Sequence, residues 1–483
     1  MKGTRMRITL LALAVLLVGA TRPVAVVHHT ISQTAAAQAA FDRGMVDYYA
    51  YNPEAAEHEF YAASDLDRDA AMAWWGIALS NAPNLNVPAN DDRDAKAREA
   101  IQRAKALEGS APAEDRALID AAGARFDGAG DAKADTLQVA YRDALAKIAL
   151  AYPNDPDVAA LHAEAALYVA VGDGPPATAD RRAAMRSATA ATLPLFQAYL
   201  TRFPQHIGLL HFYIHAAQFA GKSALAVDAA TKLAAFGFRP EDSHLTHMPG
   251  HIFFDVGMYD QGLDVGRRSV AMDFADYACC HPGYYAGTRY YHDHNVSFLL
   301  YALTELGRTK EAVTVAQREM DPDEIARQLL ADEQWNAILL LPHRAGTDAT
   351  VAFARGIAFA HLGDVAQAQS ALAEMPAAPF AATPHGATSE AMRRMLVAAI
   401  AVAKGDDATA LDELSQASTL ANTARITGGG EMPALYYYSP NLALADLAAR
   451  IGKRDVALTA YRAELTVSPG SPAAVRGIAA LRR

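Results

Sequence analysis

At 483 residues the chain has room for several domains or one long repeat array, and 52% hydrophobic against 20% charged residues excludes a disordered or fibrous polymer. Lys and Arg total 43 against 54 Asp and Glu, a formal net charge of −11 with no long basic stretch, which argues against nucleic acid as a partner. The two cysteines, Cys279 and Cys280, are adjacent, which excludes a disulfide framework as the source of stability.

The chain opens with Lys2, Arg5 and Arg7 and then an apolar run over 8–20 that ends in Gly19 and Ala20. This order describes a signal peptide, 1–20, removed on export. Thr21, Arg22 and Pro23 stop the run short of the roughly 20 residues needed to cross a bilayer. The expectation is a periplasmic or secreted protein with no membrane span after cleavage.

From about residue 33 the apolar residues follow a helical period, and abundant alanine supports it. One motif recurs: a helix end, a Gly turn, then a second helix opening with small residues. It reads AGKSALA at Gly221, VGMYDQGL at Gly257, LGRTKEA at Gly307, LGDVAQA at Gly363, KGDDATA at Gly405 and IGKRDVA at Gly452. Glycine supplies the tight turn, and the following alanine lets paired helices approach. An amino-terminal unit shares the pattern, with Ala56, Phe60 and Ala63 placed to pack its second helix. The spacings are uneven, so these are degenerate repeats with insertions. The fold class is all-α: a tetratricopeptide-like α-solenoid of stacked antiparallel helix pairs with irregular insertions. Its expected parts are N-terminal helical repeats (33–205), a His-rich region with an aromatic loop (206–320), and C-terminal helical repeats (321–483). The segments 81–92 and 172–180 read as turns, and 278–295 as the longest irregular stretch.

Nine of the 16 histidines fall between residues 206 and 294. His211 and His215 are four apart on one helix face. His247 and His251 flank Pro249, which suits a first helical position and disfavours helix at Met248. His251 would then lie in a first turn, where the helix dipole opposes protonation and leaves the neutral ring that binds metal. His294 arrives from the aromatic segment. The three segments belong to consecutive units, so their ends can converge on a transition metal ion, copper or zinc. His244 and His292 are left as ligands, supporting partners or bystanders. Cys279, Cys280 and Met248 could add sulfur, and Asp255 or Asp293 could orient an imidazole. His28, His29, His206, His343 and His385 read as structural. Glu431 with Tyr436–Tyr438 reads as a cap on the inner groove. Metal binding on these grounds should weaken as pH falls through about 6.5.

The segments HFYIHA (211–216), HLTHMPGHIF (244–253) and HDHNVSFL (292–299) resemble a bacterial tetratricopeptide-repeat family marked by an HMPxHI motif. AMAWWGIAL near the amino terminus and PALYYYSPN near the carboxy terminus are similar to that family's ends. The resemblance spans about residue 38 onward and implies the repeat fold. Ser297 replaces a second His of the family pattern and Gln218 stands where an acidic residue often follows, which would alter any metal shell those residues complete. The functional expectation is an exported repeat protein with a His-rich metal site whose open position would activate water or oxygen, as in a metal-dependent enzyme. The alternative is a periplasmic scaffold that binds a peptide or protein in its concave groove, with structural histidines.

Overall fold

The fold is given by a computed structural model, which describes residues 34–482 apart from 127–133, 173–178, 280–284, 344–348, 376–383 and 428–437, together with 22–23, 27 and 29–31. The expected signal peptide, Cys280, Glu431, Tyr436 and Tyr437 lie outside the described residues. Among the described residues the chain forms 23 α-helices and no strand, each packed mainly on its sequence neighbours. This is a tetratricopeptide-like α-solenoid. No described helix is long and apolar enough to cross a membrane.

The first repeat shows why the pairs form. Helices Ala35–Tyr49 and Pro53–Leu66 are followed by Ala71–Ser80, and Phe60 is fully buried between them. A Cβ at Gly44 or Gly76 would stand 2.7 or 2.6 Å from the Phe60 ring, so both flanking helices need glycine there. Ala56 and Ala63 are buried beside it, as the repeat pattern requires.

All six motif glycines have φ between 65° and 82°. Each closes its first helix with the same pair of hydrogen bonds. At Gly363, for example, its own N–H reaches the Ala360 carbonyl at 3.1 Å and the Asp364 N–H reaches Phe359 at 2.9 Å. This arrangement satisfies the last carbonyls of the helix and demands a left-handed residue. Two further turns use it without glycine: Tyr51, with φ 52°, and Glu333, with φ 53°. Tyr51 thus stands where the other units carry glycine.

Two expectations about local structure are corrected. Pro249 does not begin a helix but lies inside Ser243–Asp255. Every residue of that helix from Ser243 to Phe254 is buried, and this packing outweighs the hydrogen bond that proline removes. The segment expected to be irregular is helical from Tyr285, within Tyr285–Glu305. No proline follows Pro282 there, and Gly287 inside a long helix costs only about 1 kcal/mol.

The solenoid returns on itself at both ends. The turn after the first helix meets the central helix Ile207–Phe219, where the His211 ring bonds the Tyr49 carbonyl at 2.7 Å. Arg239 pairs with buried Asp47 at 2.5 Å, and Asn52 donates to the Glu241 carbonyl at 2.9 Å. Near the carboxy terminus, the Pro469 carbonyl accepts from the Tyr259 hydroxyl at 2.9 Å, and Ser468 meets Tyr301 at 3.2 Å. The central helices therefore carry contacts from both ends, and the histidines sit on those helices.

Candidate metal centre

His211 and His215 project one turn apart from Ile207–Phe219, with ring centroids 4.9 Å apart. Ser243–Asp255 presents His244, His247 and His251 on one face, and Tyr285–Glu305 brings His294 to 4.9 Å from the His247 ring. The structure thus brings all five expected histidines together and adds His244. Their nitrogens form two triads, His211–His215–His244 and His247–His251–His294, each with its three candidate donor atoms within 4.8 Å of one another. His244 and His247 join the triads, with centroids 4.6 Å apart.

Hydrogen bonds define part of the proton arrangement. His211 Nδ1 lies 2.7 Å from the Tyr49 carbonyl, which only accepts, so Nδ1 carries the hydrogen and Nε2 the lone pair. That Nε2 is 3.2 Å from His244 Nε2. His251 Nδ1 faces the Gln218 amide at 3.0 Å. With the amide turned oxygen-first, the ring N–H would donate to it and Nε2 would hold the lone pair. Both ring nitrogens of His215, both of His247, and Nδ1 of His244 are buried with no hydrogen-bond partner.

Burial also sets the charge. It pushes His211 down to about 3 and His294 to about 4. It holds His215, His244, His247 and His251 well below the ordinary imidazole value, with further lowering from neighbouring imidazoles. All six rings are neutral at pH 7, the form that ligates metal. The cause differs from expectation: His251 lies deep in its helix rather than in the first turn, so desolvation and not the dipole keeps it neutral.

Aromatic rings line the group. Tyr51 lies 4.8 Å from His211, Phe219 5.6 Å from His215, Tyr291 5.1 Å from His244 and Phe298 4.6 Å from His251. Asn86, from the loop before Asp91–Leu107, reaches the Tyr291 hydroxyl at 3.2 Å. Sequence reasoning missed Tyr51 and Asn86 because both come from the distant amino-terminal repeats. The usable signal was Tyr51 in a glycine slot of the repeat.

Other candidates go elsewhere. His292 meets Asp273 at 3.2 Å and Glu319 at 3.7 Å; burial opposes its charge, but these carboxylates raise its pKa and keep it out of the triads. Ser297 donates to the Asp293 carbonyl and Asp255 accepts from Ser223. Met248 is fully buried in the apolar core. His206 caps its helix and pairs with Asp157, and His343 pairs with Glu374. His29 lies with Asp155 and Asp157 in a group that could hold a cation. Burial lowers its pKa, but Asp115 and Asp155 outweigh that and raise it to about 10, so it serves as an ion-pair partner. His28 and the side chain of His385 lie outside the described residues.

No family model matches the chain, and no curated protein matches it. Solved helical-repeat structures do. The P58(IPK) TPR domain is 10% identical, with 93% of this chain and 98% of that one covered and a TM-score of 0.25. A human IFIT1 dimer with m7Gppp-AAAA is 11% identical over 92% and 90%, with a TM-score of 0.32. Yeast Tom70 is 13% identical over 92% and 88%, with a TM-score of 0.25. At these scores the neighbours contribute nothing to the reading of the histidines.

Proposed function

We propose that this chain is an exported tetratricopeptide-like protein whose central histidines, His211, His215, His247, His251 and His294 with His244 beside them, bind a transition metal, copper or zinc. One observation carries the reading: buried imidazoles whose nitrogens have no hydrogen-bond partner. Each neutral ring has one N–H and one lone pair, and leaving such a group unmet inside a protein costs about 1–3 kcal/mol. Leucine or phenylalanine would fill the same space without that cost. A metal ion takes the lone pairs and turns the cluster into a gain. An ion on three imidazoles keeps a position open, where it would act as a Lewis acid on water or bind oxygen. Export is supported by the basic and then apolar first twenty residues.

Elemental analysis after chelation and re-metallation tests the reading. His215→Ala and His247→Ala should lower the metal-to-protein ratio, while His343→Ala, outside the cluster, should leave it unchanged. Equal ratios in all three would put the second reading first. That reading is a scaffold binding a peptide or protein in the concave groove, favoured by the helix-pair stack itself.

A further inference from the structure

We infer, resting on the metal-site reading above, that the histidine core is a dinuclear copper centre: His211, His215 and His244 hold one cuprous ion, and His247, His251 and His294 hold a second beside it. The six rings divide into two triads with no shared member. An ion about 2.0–2.1 Å from each nitrogen draws its donors to within roughly 4 Å of one another, so each triad, already within 4.8 Å, closes on one ion by a small ring movement. The 3.2 Å between His211 Nε2 and His244 Nε2 fits two ligands of one ion, and it makes His244 a ligand that sequence spacing left undecided. His247 follows His244 on the same helix face, about 4.5 Å further along the axis. One face therefore serves both triads, and the helical rise sets the two ions about 4.5 Å apart, close to the roughly 3.5–4 Å of two-metal sites and a span for one small bridging molecule.

Charge selects the ion. Neither triad includes a carboxylate. Asp273 is engaged by His292 and Asn295, Asp255 by Ser223, and Glu164 by Tyr48. Two divalent ions would place four positive charges among neutral rings, whereas two cuprous ions place two, a much smaller desolvation cost. Imidazole suits copper as well as zinc, and zinc on three imidazoles would still need a water as its fourth ligand, so the choice of cuprous copper rests on charge. Burial limits direct partners to small molecules, and dioxygen is the class that fits. Each cuprous ion gives one electron, the O–O bond order falls from two to one, and a bridging peroxide forms between two cupric ions. Total charge stays at plus two, so the buried site meets no new desolvation cost, and no proton is required.

The full chain, stripped by chelator and loaded anaerobically with Cu(I), should retain two copper ions per molecule. One per molecule would overturn the pair while leaving the single-metal reading standing; none would remove both. His244→Ala and His294→Ala should each retain one, with wild-type helical circular dichroism, and retention of two by either variant would overturn the ligand assignment. Should either variant unfold, the wild-type stoichiometry still decides. On admission of dioxygen the loaded chain should gain an intense near-ultraviolet absorption with no cupric paramagnetic resonance signal, because the two spins pair across the bridge. A resonance signal accounting for all the copper would mean isolated ions, and an unchanged absorption spectrum would overturn the dioxygen step.

Discussion

Tyr51 shows what one residue contributes to the centre. Its φ of 52° costs a bulky side chain about 1–2 kcal/mol relative to the glycine found in sister turns. The ring repays that by packing 4.8 Å from His211 and stacking at 5.4 Å on Phe212. Its hydroxyl is buried without a hydrogen-bond partner. Tyr51→Phe should therefore stabilise the metal-free protein by about 1 kcal/mol, since an unmet buried hydroxyl disappears while the ring stays. Tyr51→Gly should relax the turn yet lose about 2 kcal/mol net, because emptying an aromatic site costs about 3–5 kcal/mol. Urea denaturation of the two variants checks both. A Tyr51→Gly protein more stable than wild type would mean the ring does not hold the turn.

Between elements, the repeat glycines divide by what surrounds them. A Cβ at Gly363 meets nothing within 4 Å, so Gly363→Ala should cost only the left-handed backbone term, about 1–2 kcal/mol. A Cβ at Gly257 would stand 2.2 Å from the Pro469 carbonyl, so Gly257→Ala should cost clearly more and loosen the carboxy-terminal contact. Equal melting shifts would show that the 468–470 turn does not bear on the central helices. Ala312 and Ala457 are fully buried, and leucine at either should destabilise by about 1–3 kcal/mol through overpacking. Unchanged thermal stability in both would refute the repeat register. These turns were legible in the sequence because a left-handed residue followed by a small one leaves a local signature. The i, i+4 pairing of His211 with His215 was legible from local spacing too, whereas that of His247 with His251 was hidden by the proline between them. What was not legible depends on long-range closure. The amino-terminal turn reaches the His211 ring across 162 residues, and no local pattern encodes that distance. Pro249 misled because burial on all sides, absent from any local rule, decided its helix.

At the scale of the whole molecule, six neutral imidazoles, five of them buried and His294 half-buried, tie stability to pH. The sign follows from their depressed values, about 3 for His211 and about 4 for His294, against an ordinary 6.5. Below 6.5 the unfolded chain takes up protons that the folded chain refuses, so stability is present above that value and is lost as pH falls toward the folded values. All six rings act in this same direction, so the acid loss is a sizeable part of the stability of an ordinary domain. His29, raised to about 10, acts in the opposite direction: its contribution is complete below 6.5 and is lost progressively as pH rises from 6.5 to 10, so it gains nothing further below 6.5 to set against the acid loss. The metal-free protein should therefore unfold cooperatively between about pH 6.5 and 5, with uptake of several protons. This also revises the pH dependence of metal binding expected from unperturbed histidine. Inside the fold the rings resist protonation well below 6.5, so metal should not titrate away there but leave with unfolding, at a pH lower than the metal-free transition. Denaturation curves of metal-free and loaded protein across this range decide the matter. Stability unchanged from pH 7 to 5 without metal would mean the rings are hydrated, and metal loss ahead of unfolding would mean that they titrate as exposed histidines do.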